Sequence, residues 1–151
     1  MLDVYVDADA CPVRQEVFEV AGRYGLTVFV VTAGTVRVPI DPRIRLALVE
    51  EGADAADNWI AERIGPGDIC ITADVPLAAR CLKRGARALG PTGRRFTPDN
   101  IGAALAARDL AAHLREIGAG GKGPDPLTKR DRSRFLQELD GLIQAIRREA
   151  S

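Results

Sequence analysis

The chain has 151 residues, enough for one domain with a sizeable core and cramped for two. Its apolar fraction of 46% and charged fraction of 28% are those of an ordinary soluble protein. No apolar run approaches membrane-spanning length and no basic stretch leads into an apolar segment at the start, so a membrane role is excluded and the cytoplasm is expected.

The net charge of zero conceals an asymmetry. Residues 1–75 carry 6 basic and 13 acidic side chains, a balance of −7, whereas residues 76–151 carry 15 and 8, a balance of +7. An acidic half to hold cations beside a basic half to hold phosphates is what a metal-dependent phosphodiester enzyme requires. Two opposite fields attracting each other within one compact domain explain the same numbers equally well. The three cysteines, Cys11, Cys70 and Cys81, form no C-x-x-C pair, and an odd count argues against a disulfide framework. With His113 as the single histidine, a His-rich zinc site is unsupported; a metal here would be oxygen-ligated, Mg²⁺ or Mn²⁺.

The chain opens on Val4-Tyr5-Val6-Asp7-Ala8-Asp9-Ala10-Cys11-Pro12, a buried strand running into a helix start, with Pro12 suited to the first helical position. If strand geometry holds, Asp7 and Asp9 project to the same side. Val13, Val17, Val20 and Tyr24 then recur at helical spacing, and Gly25 is a C-cap candidate. Leu26–Thr32 is nearly continuous apolar, as in a strand covered on both faces, which completes a parallel, right-handed βαβ unit. Residues 33–42 read as a loop, and 44–49 as a third strand with a short helix as the alternative. Asp54 caps a helix carrying Asp57, Trp59, Ile60 and Ile64. Asp68–Ala73 is a fourth strand with Asp74 at its end, and Pro76 opens a helix that Gly85 stops. Residues 86–89 form a short fifth strand, 90–98 a loop and 99–117 a helix. The glycine-rich, basic segment 118–134 leads into a helix over 129–148, where Thr128 and Asp131 match a capping box.

This order predicts one three-layer α/β/α domain spanning residues 1–151, with a central, mostly parallel sheet of about five strands and a C-terminal helix. Asp7, Asp9 and Asp74 follow strands directly and should share the sheet's carboxyl edge, where open α/β sheets bind ligands; Asp57 joins them from its helix. Four carboxylates from three segments would hold one or two Mg²⁺ or Mn²⁺ ions for phosphoryl chemistry. Each also has a plainer role, Asp74 as a cap for its own helix and Asp7 or Asp9 as an acceptor for loop amides. Cys11, if it capped the first helix, would be a nucleophile candidate, although a packing role suits it better. Arg94 and Arg95 lie in the loop after the fifth strand, at the same edge. Lys122 among its glycines, then Lys129, Arg130, Arg132 and Arg134, suit phosphate contacts. Phe96 would stack on a base or be buried, and His113 has no assigned role.

With these residues in view, the chain resembles the YaiI/YqxD family of bacterial proteins. The resemblance rests on VDADACP at 6–12, ADAADNWI at 53–60, GDICITADVPLAA at 67–79, GRRFTPDNI at 93–101 and GGKGPDPLTKRDRSRF at 120–135. That family is similar in fold to PIN-domain nucleases, which bind Mg²⁺ or Mn²⁺ through acids at a sheet edge to cut RNA. The resemblance implies that Asp7 is the acid ending the first strand, Asp57 the helical acid and Asp74 the acid that ends a later strand and opens a helix. Asp9, Cys11 and the GGKGPDPLTKRDRSRF segment depart from the ordinary PIN pattern.

The leading expectation is a metal-dependent phosphodiesterase of the ribonuclease type acting on nucleic acid, with Asp7, Asp57 and Asp74 as metal ligands, Asp9 in support and Arg94, Arg95 and Lys122 on phosphate. A non-catalytic RNA-binding module is the second reading. The third is a HAD-like phosphatase using Asp7-x-Asp9, with Asp7 as nucleophile and Asp9 as general acid. It lacks a well-placed lysine, since Lys83 is the only one before residue 122.

Overall fold

A computed structural model describes residues 2–52, 54–119 and 126–150. Six strands form one sheet: β1 (Val4–Asp7), β2 (Val28–Thr32), β3 (Ile44–Leu48), β4 (Ile69–Ile71), β5 (Arg87–Leu89) and β6 (Arg95–Phe96). Its order is β3-β2-β1-β4-β5-β6, all neighbours parallel except the antiparallel β5–β6 pair. Among the described residues the α-helices are α1 (Arg14–Tyr24), α2 (Ala55–Arg63), α3 (Val75–Lys83), α4 (Ile101–Glu116) and α5 (Lys129–Ala150). None of the described helices is long and apolar enough to cross a membrane.

Strand alternation sorts the core into two faces. Val4 and Val6 of β1, Val28 and Val30 of β2, and Ile69 and Ile71 of β4 face α1 and α5. Tyr5, Val31 and Cys70 point the other way, against Ile60 and Ile64 at α2 and Leu77 and Cys81 of α3. There Tyr5 stacks on Phe29 at 5.1 Å between ring centroids, and Trp59 closes the group. A smaller cluster of Ala78, Ala88, Phe96 and Ala104 brings in α4. Helix, sheet and helix make three layers, as the order of elements predicts. α5 belongs to the core because its buried residues Phe135, Leu139, Leu142, Ile143 and Ile146 fall on one helical stripe. Thr128 and Asp131 exchange the capping-box bonds at its start, side-chain oxygen to backbone N–H in both directions at 3.0 and 3.1 Å.

Three local expectations are corrected. The first strand stops at Asp7, and Ala8–Ala10 wind into a single 3-10 turn, so Asp9 does not continue the strand beside Asp7. α1 begins at Arg14 after Val13, leaving Pro12 in the preceding turn and Cys11 without a capping role. Within the predicted loop 90–98, Arg95 and Phe96 form β6. The turn is tight, closed by Gly90 N–H to Arg94 O at 2.8 Å and Gly93 N–H to Gly90 O at 3.0 Å. Gly93 has φ +90°, and a Cβ there would come within 2.8 Å of Arg134 Cγ, so only glycine lets this turn approach α5. A strand of two residues carries no periodic signal, which is why sequence reasoning passes over it.

Candidate functional site

From β1 the chain winds to β2 and β3 on one side and continues through β4 to β6 on the other. The winding therefore reverses between β1 and β4, and the crevice beyond their carboxyl ends is where such sheets take ligands. Asp7 ends β1 at that point and is buried at 5% exposure. Just past β4, the fully buried Thr72 donates its hydroxyl to Asp7 Oδ2 at 2.8 Å. The same hydroxyl oxygen accepts the Asp74 N–H at 2.9 Å. Asp74 in turn accepts the Leu77 N–H at 3.1 Å, capping α3. Asp57 stands half-buried in the first turn of α2, on the sheet face that Asp7 also faces.

These carboxylates feel one another. Burial raises the Asp7 pKa, the Thr72 hydrogen bond works against that rise, and the charges of Asp74 and Asp9 add to it. Asp57 is pushed up to about 6, first by burial and then by the charges of Asp74, Asp7 and Asp54, with Arg80 opposing. The structure thus brings Asp7, Asp57 and Asp74 into one electrostatic group. Among the described residues, no three Asp, Glu, His or Cys side chains stand close enough together to form a ligand set for a metal ion.

Asp9 is placed differently. From the 3-10 turn its carboxylate accepts Thr32 Oγ1–H at 2.8 Å and Ala33 N–H at 3.3 Å, which ties the opening turn to the end of β2. This hydrogen bonding draws Asp9 out of line with Asp7. Asp54, at the N-cap position of α2, makes no side-chain capping bond.

A cleft of about 840 Å³ opens next to the acids. Ala8, Asp9 and Cys11 after β1, Ala73 and Val75 on either side of Asp74, the turn at 90–92 and Leu127 before α5 contribute to its wall. Asp7, Asp57 and Asp74 themselves lie beside the cleft, not on its wall. Its charged lining is Asp9 with three guanidinium groups, Arg14, Arg94 and Arg132. Arg14 donates to Ala8 O at 3.3 Å, and Arg132 donates to Pro12 O at 3.2 Å and Glu16 Oε1 at 3.1 Å. Arg94 lies over the Phe96 ring at 5.2 Å. Phe96 is itself buried at 5% exposure, so it packs in the core and is not free to stack on a base. The Cys11 thiol is pushed up to about 11, mainly by burial, and so stays protonated at neutral pH; the nucleophile role is not supported.

The predicted phosphate contacts separate. Arg94 lines the cleft. Arg95 is held by Glu138, Nε to Oε2 at 2.7 Å. Lys129 and Arg130 are exposed at the start of α5, and Lys122 lies outside the described residues. Arg14 and Thr72 are additions from the structure. Arg14 looks like an ordinary polar helix position, and Thr72 like one more β-branched strand residue, so neither carries a sequence signal. Exposed His113 on α4 takes no part.

Residues 5–145 match the family described as "Uncharacterized BCR, YaiI/YqxD family". A UPF0178 protein of Rhodospirillum rubrum is 59% identical over 148 residues, covering 97% of this chain and 99% of the relative. One of Rhodospirillum centenum is 55% identical over 152 residues (98% and 99% covered), and one of a Caulobacter species 54% over 148 residues (98% of each). No solved structure matches significantly. The family match over residues 5–145 and a relative 59% identical over 97% of the chain agree: the chain belongs to the YaiI/YqxD family.

Proposed function

We propose that this protein is a metal-dependent phosphodiesterase of the ribonuclease type, acting on nucleic acid. The observation that carries the reading is the group Asp7, Asp57 and Asp74, three carboxylates from three segments at the sheet's switch point, two of them with raised pKa values. Such charge held out of water calls for a cation. The donor set fits Mg²⁺ or Mn²⁺ in kind, being all oxygen and acidic, although among the described residues no three such side chains stand close enough together to form a ligand set. Asp7, Asp57 and Asp74 would hold the ion, with Asp9 shaping the adjoining turn. When bound, the metal supplies Lewis acidity towards a phosphoryl oxygen. Arg94, with Arg14 and Arg132 across the same cleft, would hold a phosphodiester against that edge. RNA is proposed as the substrate by analogy with PIN-domain nucleases, whose sheet-edge acids cut RNA.

The test is calorimetric titration of the wild type and Asp7→Asn with Mn²⁺ and Mg²⁺, followed by single-stranded RNA cleavage. Stoichiometric binding and metal-dependent cleavage, both lost in Asp7→Asn, are expected. No binding to the wild type with RNA either absent or present would overturn the proposal. A second reading, a non-catalytic RNA-binding module, is favoured by the open spacing of the carboxylates. It predicts equal RNA affinity with and without metal and no turnover.

A further inference from the structure

β3 is an edge strand of the sheet. Val28 N–H bonds Arg43 O and Val49 N–H bonds Thr32 O, which turns the odd-numbered peptide groups of β3 towards β2. Ile44 N–H is taken by Asp41 O, leaving the peptide groups of Leu46 and Leu48 directed outwards. Their side chains are uncovered too, Leu46 at 41% and Leu48 at 69% exposure. Soluble proteins usually protect a sheet edge with an inward charge, a bulge or a proline, because an open apolar edge templates further pairing.

The flanking charges select the occupant. Arg43 and Arg45 lie at the amino end of the strand and Glu50 and Glu51 just beyond its carboxyl end, all exposed. A second copy laid antiparallel about a two-fold axis through Ala47 sets Leu46 opposite Leu48 of its partner and brings the end carrying Arg43 and Arg45 beside the end of its partner carrying Glu50 and Glu51, each contact occurring twice. Parallel pairing would set like charges against each other. The strand is complementary to itself in one orientation only.

We propose that β3 pairs antiparallel with β3 of a second copy, joining two six-stranded sheets into one continuous sheet. The acids at β1 and β4 lie further in along the sheet, so the contact leaves the cleft open, and it does not depend on the proposed chemistry.

Sedimentation of the full chain at several concentrations tests this directly. The wild type should run at twice the chain mass, and Leu46→Lys/Leu48→Lys should run as a monomer with an unchanged circular dichroism spectrum, since both side chains are already exposed. Arg43→Glu should weaken the dimer by about tenfold, and adding Glu51→Arg should restore it. A monomeric wild type would overturn the proposal. So would a dimer that persists in the double-lysine variant, or one indifferent to the charge reversal.

Discussion

One hydroxyl does two jobs at the sheet edge. Thr72 donates to Asp7 and accepts the amide of Asp74, so the acid of β1 and the start of α3 share a single buried side chain. Among the described residues, Asp57 has no hydrogen-bonding counterpart of that kind, and its pKa of about 6 lies above the ordinary 3.8. The native chain therefore holds the Asp57 proton more tightly than the unfolded chain does. Its contribution to stability falls as pH rises between those two values, and the full penalty is in place above the upper one. In metal-free protein, Asp57→Asn should be more stable than the wild type at about pH 7.5 and little different at about pH 4. Urea denaturation at both pH values checks this, and an equal gain at each would mean that charge is not the cause.

At the scale of an element, α3 joins stability to the site through its first residue. Asp74 caps the helix by accepting Leu77 N–H, and asparagine can make the same bond without the charge. Asp74→Asn should keep wild-type stability, whereas Asp74→Ala should lose about 1 kcal/mol. Both should lose Mn²⁺ binding if the carboxylate ligates. Thermal melts and metal titration on the two variants separate capping from ligation, because only the alanine variant should fail in both. The opening turn is a second case of an element set by distant partners. Ala8–Ala10 form a 3-10 turn in which Asp9 bonds Thr32 and Ala33, where continued strand geometry would have set Asp9 on the same side as Asp7.

Over the whole molecule, α5 closes one face of the sheet after the chain has already crossed that sheet six times. Its five buried side chains contribute roughly 1.5–3 kcal/mol each, which together rivals the 5–15 kcal/mol of net stability expected of a domain. Truncation before Leu127 should therefore abolish the cooperative thermal transition followed by circular dichroism. A truncated chain that still melts cooperatively near the wild-type temperature would show that α1 covers that face alone. α5 also carries Arg132, which lines the cleft and donates to Glu16 of α1. The basic half of the chain thus reaches the acidic half through packing as well as charge.

The order of strands and helices, the covered sheet and the acids at strand ends were determined by the sequence itself, because hydrophobic period, caps and glycine stops are local signals. Asp7, Asp57 and Asp74 could be picked out because each sits where a strand ends or a helix begins. What Thr72 and Arg14 touch, the turning of Asp9 towards β2 and the two-residue β6 were decided only by tertiary structure. Each depends on a partner in another element of the fold or on an element too short to have a period, and neither leaves a mark on its own neighbourhood in the chain. The same holds for Arg94 and Arg95, adjacent in sequence yet divided between the cleft and Glu138, since Arg94 stays in the turn while Arg95 enters β6.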